Sequence, residues 1–589
     1  MEKVLELISK EVGNAFEAAG YERELGRVTI SNRPDLCEYQ CNGAMAGAKK
    51  YGKAPFMIAD DVAAKLQDND MFEKVESVKP GFLNIIVSGD FARSYIVKML
   101  HEKHMGVTLP GHEPTFILDY GGPNVAKPLH VGHLRSAVIG ESIKRILRYT
   151  GHKVTGDIHL GDWGLQMGLV ITGLKERKPD LCYFDPDYTG AYPKEAPFTV
   201  SELEEIYPEA SKKSKEDEAF KAAAMEATKL LQDGYKPYRA LWHHILNVSV
   251  TDLKKNYKNL SVDFDLWRGE SNVHDIIPGM VDYMKSHDYA HESQGALVVD
   301  VAEETDTKEI PPCMILKSDG ASLYNTTDLA TIMQRMEEFK PEGLIYVVDK
   351  RQELYFTQVF RCARKTKLVM PETELHFVGF GTMNGADGKP FKTRDGGVMR
   401  LENLIAEIDE KMYARIKEGN ADISDEEAKD TAHKVALAAI KYGDLSNQPS
   451  KDYIFDIDKF TSFEGDTGPY ILYTMVRIKS ILKKYEEAGG NVKEAKLGNP
   501  DSDAMKSLML LLTRFADSVE SAAKDLAPNR ICAYIYDLSN AFNSFYHGTK
   551  ILAETDEYKK ESYIALLSVT LGILEKGIDL LGFSAPERM

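Results

Sequence analysis

Two histidines separated by a valine and a glycine are the residues with the clearest chemical potential in this sequence. They form the tetrapeptide His130-Val-Gly-His133. A short apolar run over residues 115–118 precedes them, and apolar residues at helical spacing follow over residues 136–149. The pattern predicts that the histidines lie where a buried parallel strand is followed by a helix.

This position suits an anionic ligand. Ligands of open α/β sheets lie at the carboxyl ends of the strands, and a helix N-terminus presents unpaired N–H groups to negative charge. Gly132, between the histidines, lacks a Cβ and allows a phosphate or nucleobase to approach the backbone. His130 and His133 can donate hydrogen bonds to phosphate oxygens whose charge grows in a transition state. Four residues alone favour a chance tetrapeptide whose imidazoles cap an ordinary turn, so the functional interpretation depends on the surrounding sequence.

The surrounding sequence supplies a family resemblance. His130-Val-Gly-His133 resembles the HIGH signature of class I aminoacyl-tRNA synthetases, and the longer segment 123–133 resembles its version in the arginyl-tRNA synthetase family. Gly161-Asp-Trp-Gly-Leu-Gln-Met-Gly168 resembles a second hallmark of that family. Gly121 and Gly122 replace the small or serine-containing pair expected there, which leaves the pattern intact because small size is what a tight approach requires.

The resemblance implies a reaction. ATP would activate L-arginine, and the arginyl group would then pass to the terminal ribose of tRNA(Arg). His130, Gly132 and His133 would bind ATP, the histidines would stabilise the five-coordinate phosphorus, and Mg²⁺ would bridge the phosphates. No protein nucleophile is needed, because such chemistry requires positioning and charge neutralisation. The resemblance further implies that arginine is activated only when tRNA is bound.

The second signature of class I enzymes, a mobile Lys-Met-Ser-Lys-Ser loop, is degenerate in this sequence. Residues 381–397 occupy its place, and glycines on both sides allow a loop to close over ATP. Lys389 and Lys392 are the candidate phosphate ligands, and either can be aligned with the lysine of the standard motif. The resemblance implies that Lys127, just ahead of the histidines, supplies the missing charge.

Acidic and aromatic residues in the same region suit a cationic substrate. Tyr324 and Asp328 are four residues apart and share one face of a predicted helix. A carboxylate can bind a planar guanidinium through two hydrogen bonds, and an aromatic ring can stack on it. Asp328 alone could be a helix cap or a surface acid. At Tyr355 the family pattern has a histidine, so we do not expect this side chain to contact the nucleotide. The resemblance implies an arginine site formed by Asp119 and Asn124 at the amino-acid end together with Glu270, Tyr324, Asp328 and Gln352.

The chain is long enough for three or four domains. Residues 1–110 are predicted to form an α+β domain that resembles the additional tRNA-contacting domain of the family. Residues 111–400 are predicted to form an α/β catalytic domain, a Rossmann-like nucleotide-binding fold with a parallel sheet and an insertion at about 170–300. A helical connector over 401–460 and an all-α bundle over 461–589, which resembles the family's anticodon-binding domain, complete the prediction.

Several local predictions can be compared directly with a structure. Residues 296–301, 314–317, 343–348 and 375–379 are candidates for further strands of the catalytic domain. Residues 505–526 have the apolar spacing of one amphipathic helix. Cys37 and Cys41 fit one helix face better than a zinc-ligand pair, so we expect reduced thiols and no structural zinc.

The net charge of −18 counts against a nucleic-acid partner, because phosphate contacts need lysine and arginine. A local basic patch would reduce this objection, since docking depends on the local field. The candidate clusters, each of which could equally be a solvated helix face, are Lys49, Lys50 and Lys53, and Arg477, Lys479, Lys483 and Lys484. No apolar run of about 18 residues and no secretory signal are evident, so we expect a cytoplasmic monomer that binds tRNA but neither DNA nor membranes.

Three alternative interpretations have to be weighed. Another class I synthetase, for cysteine or glutamine, is disfavoured because zinc ligands are not evident and because Tyr324 with Asp328 suits a guanidinium better than an amide. A nucleotidylyltransferase with an H-x-G-H motif would be much shorter and would lack the helical C-terminus. A non-catalytic tRNA-binding paralogue would not need the intact histidines and Lys127.

Overall fold

The computed structural model describes residues 1–385, 387–389, 399–419 and 422–589. The chain divides into two units that are discontinuous in sequence. Unit 1 comprises Met1–Leu109, Phe463–Leu580 and Ser584–Met589, and unit 2 comprises Pro110–Ser462 and Leu581–Phe583. The ends of the chain therefore share one unit, and the histidine segment belongs to the other.

The first part of unit 1 is an α+β region built on a four-stranded antiparallel sheet of order β1-β2-β4-β3. Its elements are α1 (Val4–Ala18), β1 (Val28–Ile30), β2 (Tyr39–Cys41), α2 (Gly43–Tyr51), α3 (Pro55–Leu66), β3 (Phe72–Val78), β4 (Phe82–Val87) and α4 (Gly89–His101), with a 3-10 helix at Arg23–Gly26. The helical placement of Cys37 and Cys41 is wrong, because Cys41 ends β2 and Cys37 lies just before that strand. A spacing of four residues puts side chains on one face of a strand as well as of a helix.

Unit 2 combines a parallel sheet with helices, including four consecutive helices between its second and third strands, and the α/β class predicted for it is confirmed. Its elements are β5 (Thr115–Tyr120), α5 (Val131–Tyr149), β6 (Lys153–Leu160), α6 (Leu165–Arg177), α7 (Val200–Glu216), α8 (Glu218–Gln232), α9 (Lys236–Asn259), β7 (Leu266–Gly269), α10 (Ile277–Ser286), β8 (His291–Ser293), β9 (Ala296–Val299), β10 (Cys313–Leu316), α11 (Tyr324–Phe339), β11 (Gly343–Asp349), α12 (Glu353–Lys365), β12 (Glu374–Phe380), β13 (Met383–Asn384), α13 (Leu401–Gly419), α14 (Asp425–Leu445), β14 (Tyr453–Ile454) and α15 (Ile457–Phe460). Two 3-10 helices lie at Glu270–Val273 and Lys350–Gln352.

A five-stranded parallel sheet of order β7-β6-β5-β11-β12 forms the centre of unit 2. The chain starts in the middle strand β5, adds β6 and β7 on one side, and then crosses to β11 and β12 on the other. The point between β5 and β11 where the order reverses is where ligands bind in folds of this kind. The histidine segment follows β5 and therefore lies beside this point.

Two of the four later strand candidates are not in the parallel sheet. The candidates at 343–348 and 375–379 correspond to β11 and β12, whereas those at 296–301 and 314–317 correspond to β9 and β10. The latter two form a separate antiparallel sheet with β8, in the order β10-β9-β8. Apolar runs of this length fit a strand of either sheet, so the pattern could not distinguish them.

The second part of unit 1 is entirely helical, as predicted. Its helices are α16 (Gly468–Glu487), α17 (Asp503–Leu512), α18 (Phe515–Lys524), α19 (Asn529–Gly548) and α20 (Glu557–Leu580). The single helix predicted over 505–526 is in fact two, because the backbone turns at Thr513, whose hydroxyl bonds the carbonyl of Leu510 (2.7 Å). In the described parts of the chain, none of the helices combines the length and the apolar character needed to cross a membrane.

Candidate active site

The histidines begin α5, as the sequence predicted. His130 is the N-cap of this helix, in an extended conformation, and His133 lies in its first turn. The two ring centroids are 3.9 Å apart. The site therefore presents two adjacent imidazoles at a helix N-terminus, immediately after the middle strand of the parallel sheet.

Backbone hydrogen bonds fix the tautomer of both imidazoles. The N–H of Gly132 donates to Nδ1 of His130 (3.0 Å), and the N–H of His130 donates to Nδ1 of His133 (3.2 Å). Burial lowers the pKa of both histidines, for His133 to about 3, and the charge of Lys127 lowers both further. Both rings are consequently neutral near pH 7, with Nδ1 as acceptor and the proton on Nε2. Each Nε2–H remains available as a donor to a ligand.

Glycines are needed around this turn for reasons that the sequence revealed only in part. A Cβ at Gly132 would lie 2.7 Å from Cε1 of His130, so this glycine makes room for the histidine ring itself rather than for a ligand alone. Gly121 has a φ of +72°, and a Cβ at Gly122 would lie 2.3 Å from the carbonyl oxygen of His159. Glycine is thus required at 121 because the backbone there is left-handed, and at 122 because the chain passes close to the strand that contains His159.

Lys127 lies beside the histidines and is held by an aromatic ring. Its Nζ is 4.4 Å from the ring centroid of Tyr207 in α7. Its positive charge is close enough to both imidazoles to lower their pKa values. We call Lys127, His130 and His133 together the histidine end of the site.

Both flanks of the predicted loop are attached to the histidine segment. Before the loop, Nη1 of Arg135 donates to the carbonyl of Gly381 (2.7 Å). After it, the N–H of Val131 donates to the carbonyl of Met399 (3.1 Å), and the N–H of Leu401 donates to that of Leu129 (2.9 Å). Gly381 and residues 399–401 therefore contact α5 and the residues that lead into it.

The structure describes only one of the two candidate lysines of this loop. Lys389 is exposed in a turn, where its carbonyl accepts from the N–H of Gly385 (2.8 Å) and its own N–H donates to Asp387 (3.1 Å). Lys392 lies outside the described residues. Either lysine as the phosphate ligand therefore stays a prediction.

A buried arginine that the sequence analysis missed organises the acidic residues. Arg335 of α11 is only 1% exposed. Its Nη2 donates to Oδ2 of Asp119 (2.6 Å) and to Oδ2 of Asp157 (2.7 Å), and its Nη1 donates to the hydroxyl of Tyr346 (3.1 Å). Asp119, proposed for the amino-acid end, thus already has one carboxylate oxygen bonded inside the protein.

Glu270, Tyr324 and Asp328 form one cluster, which we call the acid end. The charge of Asp328 contributes to raising the pKa of Glu270, and the charge of Glu270 contributes to raising that of Tyr324. Burial is the largest cause in each case; together with the charges of Asp162 and Asp328 it raises the pKa of Glu270 to about 8. The charge of Tyr207 also acts on Tyr324, so Tyr207 adjoins both ends of the site.

Asp328 has a partner on α12 that the sequence did not indicate. The hydroxyl of Tyr355 donates a short hydrogen bond to Oδ2 of Asp328. This hydrogen bond lowers the pKa of Asp328, whereas burial, the largest cause, raises it. The residue that departs from the family pattern therefore contacts the proposed arginine pocket.

A cavity of about 680 Å³ opens beside the acid end, within the size range of small-molecule sites. Glu270 and Tyr324 line it together with Trp163, Gln232 and Lys317.

Buried polar atoms without partners are concentrated near β6 and the second hallmark segment. Among the described residues, those in this region include both ring nitrogens of His159, Nε1 of Trp163 and Nε2 of Gln166. Buried polar groups are normally hydrogen-bonded, so a ligand or water is expected to complete them.

The other two predicted arginine-site residues lie at the carboxyl edge of the sheet. Asn124 forms a parallel bridge with Gly161, where a Cβ would come within 2.0 Å of the Asn124 side-chain oxygen. Gln352 is exposed in the 3-10 helix that follows β11. The structure therefore places both residues after strands that adjoin the site.

The charges of the site favour a ligand with one anionic and one cationic end. Arg335 donates hydrogen bonds to Asp119 and Asp157, whereas Glu270 and Asp328 accept no hydrogen bond from a lysine or arginine among the described residues. The histidine end offers neutral and positive donors. A nucleotide at one end and a cationic amino acid at the other would match this arrangement.

The parallel sheet, its reversal point and the histidine pair are typical of class I aminoacyl-tRNA synthetases. A match to a family model indicates the same class. Residues 95–457 match the model described as tRNA synthetases class I (R), catalytic domain. Residues 2–87 match the arginyl tRNA synthetase N terminal domain, and residues 471–589 match the DALR anticodon binding domain.

Full-length relatives identify the branch of this class. The chain is 63% identical to the arginine–tRNA ligase of Agathobacter rectalis and 56% identical to that of Alkaliphilus oremlandii, and each alignment covers 100% of both chains. The crystal structure of the arginyl-tRNA synthetase of Plasmodium falciparum has the same fold, with a TM-score of 0.79, 24% identity and 100% of each chain covered. The chain therefore belongs to the arginyl-tRNA synthetase family.

Proposed function

We propose that this chain activates L-arginine with ATP and transfers the arginyl group to the terminal ribose of tRNA(Arg), releasing pyrophosphate and AMP. The observation that carries the proposal is the pair of acids Glu270 and Asp328, which receive no cationic hydrogen-bond partner from the described residues. Placed near a helix N-terminus that suits phosphate, two such acids favour a guanidinium substrate over a neutral one.

In the first step, the arginine carboxylate attacks the α-phosphorus in line, and pyrophosphate leaves. His130 and His133 would donate their Nε2–H groups to the phosphate oxygens that gain charge. Because both rings are neutral, they remain donors without having to lose or take up a proton. Lys127, together with Lys389 or Lys392, would neutralise the departing phosphates.

Arginine would lie with its guanidinium between Glu270 and Asp328, against the ring of Tyr324. Asn124 and Gln352 lie after strands at the same edge of the sheet. Asn124 would hold the α-amino and carboxylate end of arginine, and Gln352 would complete the pocket for its side chain. We propose that Asp119 acts less directly at the α-amino and carboxylate end of arginine, because Arg335 already binds one of its carboxylate oxygens. The Asp119 side chain nevertheless remains 12% exposed. In the second step, a hydroxyl of the terminal ribose attacks the arginyl carbonyl, and AMP leaves.

Mg²⁺ enters this proposal with ATP. In the described ranges, no group of three or more histidine, cysteine or acidic side chains is arranged to hold a metal ion. Mg²⁺ is commonly bound through substrate phosphates and water, which fits this donor set better than a dedicated protein cage does.

The tRNA would be bound by the two parts of unit 1, the region 1–110 at the elbow and the bundle 461–589 at the anticodon. The basic clusters are partly neutralised, since Lys50 pairs with Glu22 and Lys479 pairs with Glu587 (2.7 Å). A monomer in the cytoplasm, with no DNA or membrane partner, completes the proposal, and light scattering of the purified protein tests the monomer.

Charging assays with each of the twenty amino acids test the substrate. We expect arginine alone to be attached to tRNA, and we expect Glu270→Gln and Asp328→Asn to raise the KM for arginine by at least about tenfold. Asp35→Asn, which removes an exposed acid paired only with Arg33, is the control and should leave the KM unchanged. Charging of a different amino acid, or unchanged arginine kinetics in both pocket variants, would refute the proposal.

The dependence on tRNA is tested separately. We expect negligible arginine-dependent pyrophosphate exchange without tRNA and robust exchange with it. Robust exchange in the absence of tRNA contradicts this part of the proposal and leaves the charging reaction unaffected.

A further inference from the structure

The hydroxyl of Tyr355 donates its hydrogen bond to the carboxylate of Asp328 and not to a backbone carbonyl. The residue lies in the first turn of α12, and Asp328 lies in the second turn of α11, so the hydrogen bond joins two separate helices. The ring of Tyr355 also packs edge-on against Phe356, with centroids 5.1 Å apart. The ring position is therefore supported by packing, and the hydroxyl is directed to Asp328.

This hydrogen bond has consequences for a guanidinium ligand. A phenol has one proton to donate, and here it goes to Oδ2 of Asp328. The bond restricts rotation of the carboxylate and leaves Oδ1 for the ligand. It also favours the ionised form that a guanidinium needs, whereas burial favours the neutral form.

We propose that Tyr355 is a positioning residue that fixes the Asp328 carboxylate for the guanidinium group and so contributes to the selection of arginine over uncharged analogues. This inference rests on the proposed function, because it takes the guanidinium to bind Asp328. It adds a residue outside the predicted arginine site, at a position where the sequence pattern indicated only a lost contact.

The test is a comparison of two tyrosine-to-phenylalanine variants. Tyr355→Phe removes the hydroxyl bound to Asp328 and keeps the ring. Tyr283→Phe is the matched control, because the Tyr283 hydroxyl donates to the backbone carbonyl of Thr366 (3.0 Å) and its ring packs against the same apolar core. Both variants lose one phenolic hydrogen bond, but only the first loses it from the pocket.

We expect Tyr355→Phe to raise the KM for arginine about 10- to 100-fold, as for a lost hydrogen bond to a charged group. The kcat and the KM for ATP should stay within about twofold. Inhibition by citrulline, which has the shape of arginine but no charge, should change much less than the KM for arginine. Tyr283→Phe should leave all these constants unchanged. A change in thermal midpoint equal to that of Tyr283→Phe shows that folding is not the cause.

The Asp328→Asn variant separates failure of this inference from failure of the proposed function. If Asp328→Asn leaves the KM for arginine unchanged, the proposed pocket is wrong. If Asp328→Asn raises this KM and Tyr355→Phe does not, the proposed function stands and the inference is overturned. Two other results also overturn the inference. One is an equal rise in the KM values for arginine and for ATP in Tyr355→Phe. The other is a further, undiminished rise in the KM for arginine when Tyr355→Phe is added to Asp328→Asn, because a positioning residue acts through Asp328 alone.

Discussion

The two ends of the candidate active site lie at the same edge of the parallel sheet but are constructed in different ways. The histidine end comes from one short segment, 127–133, and backbone N–H groups of that segment fix both rings. The acid end collects residues from a 3-10 helix and from α11. Tyr355 of α12 bonds Asp328 there, and Arg335, also of α11, bonds the neighbouring Asp119. We therefore expect changes at the histidine end to affect mainly the rate, and changes around the acid end to affect stability and arginine affinity.

The largest expected effect on stability comes from the arginine beneath the acid end. Arg335→Met would leave Asp119 and Asp157 buried without their common partner. Removing one member of a buried ionic group costs about 3–5 kcal/mol of unfolding free energy, and chemical denaturation of the transition that includes unit 2 measures it. Arg33→Met is the control, since the Arg33–Asp35 pair is exposed, and it should not move the transition. A similar small shift for both variants would contradict a supporting role for Arg335.

The corresponding change at the histidine end should leave the fold intact. His133→Ala removes one Nε2–H donor, and loss of a single donor to a charge-developing oxygen lowers a rate about 10²- to 10³-fold. The rate of tRNA-dependent pyrophosphate exchange measures this loss, and the KM for arginine should change little. His376→Ala, which removes a histidine bonded to Glu374, provides the control. Exchange at the normal rate in His133→Ala would instead indicate that the histidines are only a helix cap.

The difference between the two ends also explains what the sequence could predict. His130, His133 and Lys127 are close in sequence, so a motif after an apolar run indicates both their position and their chemistry. Their tautomers depend on backbone geometry, which no pattern of residue types contains. The middle strand β5 and the start of α5 were predicted for the same local reason.

The acid end was predicted only through the family resemblance. Glu270 and Asp328 lie 58 positions apart in sequence and meet because of the sheet order, which local patterns do not encode. The burial of Arg335 could have been predicted from its position. It lies three residues after Ile332 on the buried face of α11, where an apolar residue is normal. The contact between Tyr355 and Asp328 joins two separate helices, so no spacing within either helix could have predicted it.

A smaller effect is expected from pH, and it should appear at the acid end alone. The pKa of Glu270 is raised to about 8, mainly by burial, so the group is largely protonated at pH 7 and must ionise to bind a guanidinium. Arginine affinity should therefore rise as the pH rises, by up to about tenfold per unit below pH 8, and level off above it. Calorimetric titration with arginine in buffers of different ionisation enthalpy measures both the affinity and the proton released. Glu270→Gln should bind more weakly and without this dependence; an unchanged slope in that variant would show that another group titrates.

The smallest effect concerns Tyr207, the residue that adjoins both ends. Its ring lies 4.4 Å from Nζ of Lys127, an arrangement worth about 0.5–2 kcal/mol depending on exposure. Tyr207→Leu should raise the KM for ATP or lower the exchange rate by about 2- to 30-fold, because the lysine loses the ring that holds it near the phosphates. Tyr207→Phe keeps an aromatic face and should stay close to the unmodified protein. If both variants were equally impaired, the hydroxyl and its effect on Tyr324 would be the important feature, and Tyr207 would belong with the acid end; if only the leucine variant is impaired, Tyr207 belongs with the histidine end.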